Sequence, residues 1–231
     1  MQKISCAFWV LLFLIPFLTI LPNKGLAQDV PLEVIKAAEE GLQPFLRKIP
    51  KRLIEEYGFD KGDYLEEAYL GRPFNLYKIT PDALSNYRTE DTIDSIISET
   101  SHWYFPIMLN NSTKTILVVA KVGDNWKAIT LGYVPLVREL AEIQQQWPKS
   151  KGYNPRLVVV LQAKEYLFTV PEMDAYNLTP IVFKHKTALD NQQKKYGEHS
   201  EDGPKYSTLK KLPSVIERLR PIVEQNIKKT Q

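Results

Sequence analysis

Residues 102–147 constrain this chain more than any other stretch: the apolar residues keep a period of two through three successive segments and then switch to a helical period. Trp103, Phe105, Ile107 and Leu109 fall on one side of a strand, and His102, Tyr104, Pro106 and Met108 on the other. The odd side is expected to be core. Pro106 has no N–H to give to a ladder, so an edge position or a bulge is expected for this strand. Residues 115–122 read as a second strand, Gly123-Asp124 as a two-residue turn, and a third strand closes at Gly132. That turn would pair Val118 with Ile129 and Ile116 with Leu131. Pro135 then opens a helix in which Leu136, Val137, Leu140, Ile143 and Trp147 form a continuous apolar stripe. Burying the stripe contributes about 8–12 kcal/mol gross at about 1.5–3 kcal/mol per large side chain, which makes this unit the scaffold for the rest.

The N-terminus places the chain in a compartment. Lys3, an apolar run from Ala7 to Leu21 and a polar stretch ending in Gly25-Leu26-Ala27 have the layout of a secretory signal peptide. The run contains Pro16 and is shorter than the ~20 residues that span a bilayer, so cleavage near Ala27 is expected, with no transmembrane segment afterwards. The expected destination is the periplasm or the extracellular space. Cys6, the single cysteine, precedes the run, so the mature chain has no disulfide, thiol nucleophile or thiolate metal site. Lys and Arg number 30 against 27 Asp and Glu, and loss of Lys3 and Lys24 with the leader brings the total close to neutral. No nucleic-acid or anionic-membrane partner is implied. Acidic residues prevail up to Ser101 and basic ones after Lys184, as in two solvated faces of opposite sign or a tail folded back onto the front half; the competing reading is a basic tail that contacts an anionic envelope polymer.

The remaining segments read as alternating short helices and strands. Asp29 and Pro31 start a helix carrying Leu32, Ile35, Ala38, Leu42, Phe45 and Ile49, which Gly41 and Pro44 are expected to weaken or kink. A short helix over 51–57 stops at a left-handed Gly58, and Asp63 with Glu66 has the spacing of a capping box. Residues 74–79 form a strand closed by the helix-start signal Thr80-Pro81, and another short helix follows around 92–97. Residues 156–162 and 166–170 make either a hairpin or one bent strand, and 180–183 a last short strand. Residues 184–205 are charged and almost free of large apolar side chains, as in a flexible linker. Residues 212–227 repeat apolar positions at helical spacing around Pro221.

The expected organisation is thus a signal peptide at 1–27, a domain at 28–183, a linker at 184–205 and a C-terminal helix within 206–231 docked on the domain. The expected fold class is α+β: a mainly antiparallel sheet of four to six strands with helices packed on one face, plus the C-terminal amphipathic helix. A helix ahead of an antiparallel meander resembles in outline the layout of cystatin-like secreted modules, a resemblance that no motif carries.

No nucleotide, phosphate, zinc-protease, nucleophile-elbow or EF-hand pattern is present, and no catalytic residue, metal ligand or cofactor is assigned. The acidic run 60–67 lacks the ligand order that wraps calcium. The binding candidates are His102, Tyr104 and Met108 on the even side of the first strand, Trp126 near that surface, and Arg72 on a rigid turn between Gly71 and Pro73. A helix over the even side would turn the first three into packing residues. The expected function is an exported, non-enzymatic binding or interaction module whose partner is another exported protein, a peptide or a glycan. The competing readings are a secreted hydrolase using dispersed carboxylates, such as Asp91, Asp94 or Glu165 beside His102, and a propeptide-like protease inhibitor. Convergence of two acids, or of an acid and His102, in one pocket separates the first of these from a binding module.

Overall fold

The computed structural model describes residues 30–170, 177–181 and 210–229. The leader, Asp29, the segment 171–176 and the 184–205 stretch lie outside the described residues.

The chain opens with helix α1 (Leu32–Arg47) and a 3-10 segment (Lys51–Tyr57). Then come strands β1 (Tyr69–Leu70) and β2 (Phe74–Ile79) and short helices α2 (Pro81–Asn86) and α3 (Ile93–Ile96). The meander β3 (Ile97–Leu109), β4 (Ser112–Val122) and β5 (Asn125–Gly132) leads into α4 (Val134–Gln146). Strands β6 (Arg156–Val160), β7 (Glu165–Thr169), β8 (Asn177–Ile181) and β9 (Lys210–Lys211) and helix α5 (Leu212–Lys228) complete the described chain. One sheet of nine strands, in the order β5-β4-β3-β2-β6-β7-β8-β9 with β1 beside β3, is formed among the described residues. Every pairing is antiparallel except β2 with β6. The protein is therefore α+β with a mainly antiparallel sheet and a C-terminal helix, and the sheet is wider than four to six strands.

Helices cover both faces of this sheet rather than one. Ile116 and Val118 of β4 pack in one cluster with Leu136, Val137, Leu140 and Ile143 of α4, whereas Leu117 and Val119 pack in another with Val34, Ala38 and Leu42 of α1. Period two sends alternate β4 residues to opposite faces, so an uninterrupted apolar run is the pattern of a strand covered twice. On the α1 face, the far half of the sheet is covered by α5, whose Leu212, Val215, Ile216 and Leu219 pack with Tyr77, Val158 and Leu167. Two helices thus share one face, α1 over the meander and α5 over β2, β6 and β7.

Several local expectations hold. Thr80 caps α2, its Oγ1 accepting the Ala83 N–H at 3.2 Å, and Gly58 adopts φ 84° with Phe59 buried behind it. The stripe of α4 and the odd side of β3 are core.

Others need correction. In α1 the buried residues are Val34, Ala37, Ala38, Leu42 and Leu46, so the buried face is turned away from Leu32, which is 76% exposed. Small side chains at 37, 38 and 41 let the helix lie close to β5, and Gly41 marks a near approach rather than a weak point. Asp63 does not open a helix with Glu66; its Oδ2 accepts the Asp60 N–H at 2.8 Å and lies 2.9 Å from Lys114 Nζ.

The β4–β5 register runs from Val122↔Asn125 to Val119↔Ala128 as the Gly123-Asp124 turn dictates, then slips at a bulge, pairing Val118 with Thr130 and Ile116 with Gly132. Ile129 is the extra residue and faces solvent. β3 is not an edge strand, and its ladder with β4 shifts register one residue past Pro106, between Ile107 and Met108. Pro106 is tolerated because its carbonyl accepts the Gly71 N–H at 2.7 Å, on the side where β1 gives way to β2 and no ladder donor is required.

Candidate functional site

On the shared face, the clusters under α1 and α5 adjoin along β2 and β3. Trp103 belongs to the α1 cluster and Tyr77 to the α5 cluster, while Asn75 lies between them in neither. Asn75 pairs with Trp103 across the β2–β3 ladder, just before a register shift between Asn75 and Tyr77. A cavity of about 170 Å³ opens at this seam, at the N-terminal ends of the parallel strands β2 and β6.

Two similar turns build its rim. Gly71-Arg72-Pro73 precedes β2, and Asn154-Pro155 precedes β6, so each strand starts beside a proline that stiffens the entry. Gly71 sits close under β3, since a Cβ there would lie 3.1 Å from the Pro106 carbonyl oxygen. The two turns are tied together by Arg72 Nη2, which donates to Asn154 Oδ1 at 3.0 Å. Arg156, the first residue of β6, lies over the Tyr77 ring at 5.5 Å and pairs with Asp94. Gln144 of α4 and Lys149 of the following turn close the remaining side.

The electrostatics are one-sided. Arg72, Lys149 and Arg156 line the cavity, and no Asp or Glu does. Asp94 answers Arg156, but among the described residues no carboxylate pairs with Arg72 or Lys149. Desolvation lowers the Arg72 pKa from the ordinary guanidinium value, with no acid to offset it, and the group stays charged because that value starts so high. Asn75 is only 5% exposed, and its Oδ1, out of reach of solvent, has no hydrogen-bond partner. A buried acceptor left unmet costs about 1–3 kcal/mol, so the chain keeps it at a cost in stability. A guanidinium with free donors at a cavity lining that holds no acid can receive a planar anion.

The residues singled out in the sequence do not form one surface. Tyr104 is 4% exposed beneath α4, its hydroxyl 3.1 Å from that of Tyr166 and its ring stacked on Tyr133 at 5.8 Å. It is a packing residue. Burial first, and then the Tyr166 hydroxyl, raises its pKa far above the usual phenol value. Met108 is half-buried, with its sulfur accepting from Thr113 Oγ1 at 3.3 Å, and His102 is half-buried opposite Ala120. Trp126 packs with the α1 cluster, on the face opposite Tyr104. Only Arg72 lines the seam cavity. The residue that sequence reasoning missed is Asn75, whose signal was a lone amide inside the apolar strand FNLYKI. The paired strings GRPFN and YNPRL were the second signal, each placing a proline and an arginine at the mouth of a strand.

The dispersed carboxylates are occupied elsewhere. Asp91 Oδ2 accepts the Arg88 N–H at 2.7 Å, Asp94 holds Arg156, and both Glu165 oxygens accept from Arg218 at 2.7 Å. Among the described residues no group of three His, Cys, Asp or Glu side chains could hold a metal ion, and no helix is long and apolar enough to cross a membrane. No family model, curated protein or solved structure matches the chain.

Proposed function

We propose that the protein is an exported, non-enzymatic binding module acting in the periplasm or extracellular space, and that the seam cavity receives an anionic group of its partner. The observation that carries this reading is Arg72 without a carboxylate partner among the described residues, in a cavity lined also by Lys149 and Arg156 and by no Asp or Glu. Binding is favoured over hydrolysis because Asp91, Asp94 and Glu165 each hold a local partner and none lines the cavity. Export rests on the basic start, apolar run and Gly25-Leu26-Ala27 of the leader.

Two measurements test the proposal. N-terminal sequencing of the protein recovered from its host is expected to begin near Gln28 in the exported fraction; an uncleaved chain retained in the cell overturns the export part. Acetate, phosphate and glucuronate titrated against the full chain, followed by NMR on the Trp103 indole N–H, are expected to give at least one saturable shift that Arg72→Ala weakens at least tenfold. Failure of all three anions, or an unchanged response in Arg72→Ala, overturns the binding part.

A further inference from the structure

A second cavity lies between the end of α1, the 3-10 segment over 51–57 and the loop at 61–66. Its volume is about 510 Å³, within the ~300–1,000 Å³ of small-molecule sites and over three times the ~150 Å³ that holds one benzene. Ile49, Ile54 and Leu65 give it an apolar wall; all three are half-buried and pack against the α1 cluster. The polar groups along that wall are already engaged. Gln43 Nε2 donates to the Leu65 and Glu66 carbonyls at 3.4 Å, and the Asp63 carboxylate accepts the Asp60 N–H and holds Lys114. At the rim Lys61 lies 3.7 Å from Glu55, whereas Arg47 and Lys51, both exposed, have no carboxylate partner among the described residues. Glu66 is the one lining acid in the same condition.

We infer that this cavity binds a single-chain amphiphile with one anionic head, of the class of a fatty carboxylate. The wall selects the body of the ligand. A peptide or a sugar lying there would carry amides or hydroxyls that lose water and find Gln43 and Asp63 already bonded, whereas an alkyl chain asks only for apolar contact. The rim selects the head. Arg47 and Lys51 stand two residues before and two after Ile49, so two free cations flank one end of the wall against the single carboxylate of Glu66. That balance favours a negative head over a positive one on the same chain. The cavity shares no lining residue with the seam, so it is a site separate from the anion site there.

The test titrates the full chain with octanoate, laurate and dodecyltrimethylammonium, each below its micelle concentration, and follows the methyl resonances of Ile49 and Ile54. Laurate is expected to shift both isoleucines saturably. Each buried methylene tightens binding about two- to fourfold, so laurate should bind about tenfold or more tighter than octanoate. The ammonium of the same chain should bind about fivefold more weakly than laurate. Arg47→Ala combined with Lys51→Ala changes only exposed side chains, and should weaken laurate about fivefold while leaving the ammonium unchanged or tighter. Four results each overturn the inference: laurate that shifts neither isoleucine, octanoate bound as tightly as laurate, the ammonium bound as tightly as laurate, or laurate unaffected by the double variant. Arg72→Ala separates this site from the seam. Laurate binding that persists in that variant supports the second site, and laurate binding lost with Arg72 overturns it.

Discussion

Replacing Gly41 with alanine isolates the contact that lets α1 lie on β5. A glycine inside a helix ordinarily costs about 1 kcal/mol relative to alanine, so Gly41→Ala in an exposed helix would stabilise. Here the added Cβ would stand 2.2 Å from the Ala128 Cβ, against the ~3.5–4.0 Å at which carbon atoms touch. The helix or the strand must therefore give way by more than an ångström, and α1 packs across β4 and β5 along much of its length. Overpacking of this kind costs about 1–3 kcal/mol. After the helix-propensity gain, a net loss of up to about 2 kcal/mol is expected, or up to about 8 °C in Tm for a chain of this size. Removing the opposing methyl restores the space: with Ala128→Gly, the nearest remaining atoms are the residue 128 Cα at 3.7 Å and Leu117 Cδ2 at 3.8 Å, both ordinary contacts. The double variant should therefore lose about 1–3 kcal/mol less than the sum of the two single losses. Urea unfolding followed by far-UV circular dichroism measures all four proteins. A gain of stability in Gly41→Ala, or strict additivity in the double variant, refutes the reasoning.

Two further predictions concern pH. Burial pushes the Asp63 pKa up, but the Asp60 N–H and Lys114 outweigh it and hold the carboxyl below its ordinary value. The stability it adds is present above the unfolded value of about 3.8 and is lost as pH falls through the lower folded one, so urea midpoints measured from pH 5 down to 2 should fall less steeply in Asp63→Asn. Tyr104 has the opposite sense: its raised folded pKa leaves its contribution intact below about pH 10 and removes it as pH climbs further. Tyr104→Phe should cost about 1 kcal/mol at neutral pH, for the bond to Tyr166, and flatten the alkaline limb; an unchanged limb contradicts the burial argument.

What was legible in the sequence was local. The odd residues of β3, the stripe of α4, the Thr80 cap and the C-terminal helix follow from period and capping chemistry, and the structure has them. What was missed depends on residues far apart in the chain. No periodicity announces that β2 pairs in parallel with β6. The β4–β5 register was readable only as far as the bulge at Ile129, because one extra residue shifts every later pair. Coverage of both faces did leave a trace, the unbroken runs ILVVA in β4 and LVVV in β6, whose residues are all buried. Arg72 stood out because glycine and proline flank it. Asn75 became significant only when the strand ends of β2 and β6 were brought together.

The parallel pair has a further consequence for the order of assembly. Leu76 meets Leu157 only after the chain has gone through β3, β4, β5 and α4, a loop of roughly eighty residues. The meander and α4 are contiguous in sequence and make short-range contacts, which form faster than distant pairings. A preformed meander shortens the effective loop and lets β6 arrive late against an existing edge. Arg72 and Asn154 flank that final pairing on its two strands, so the cavity comes into being with the last closure of the sheet. Any occupant therefore weighs on the completed topology alone and acts as a latch across the two halves of the chain.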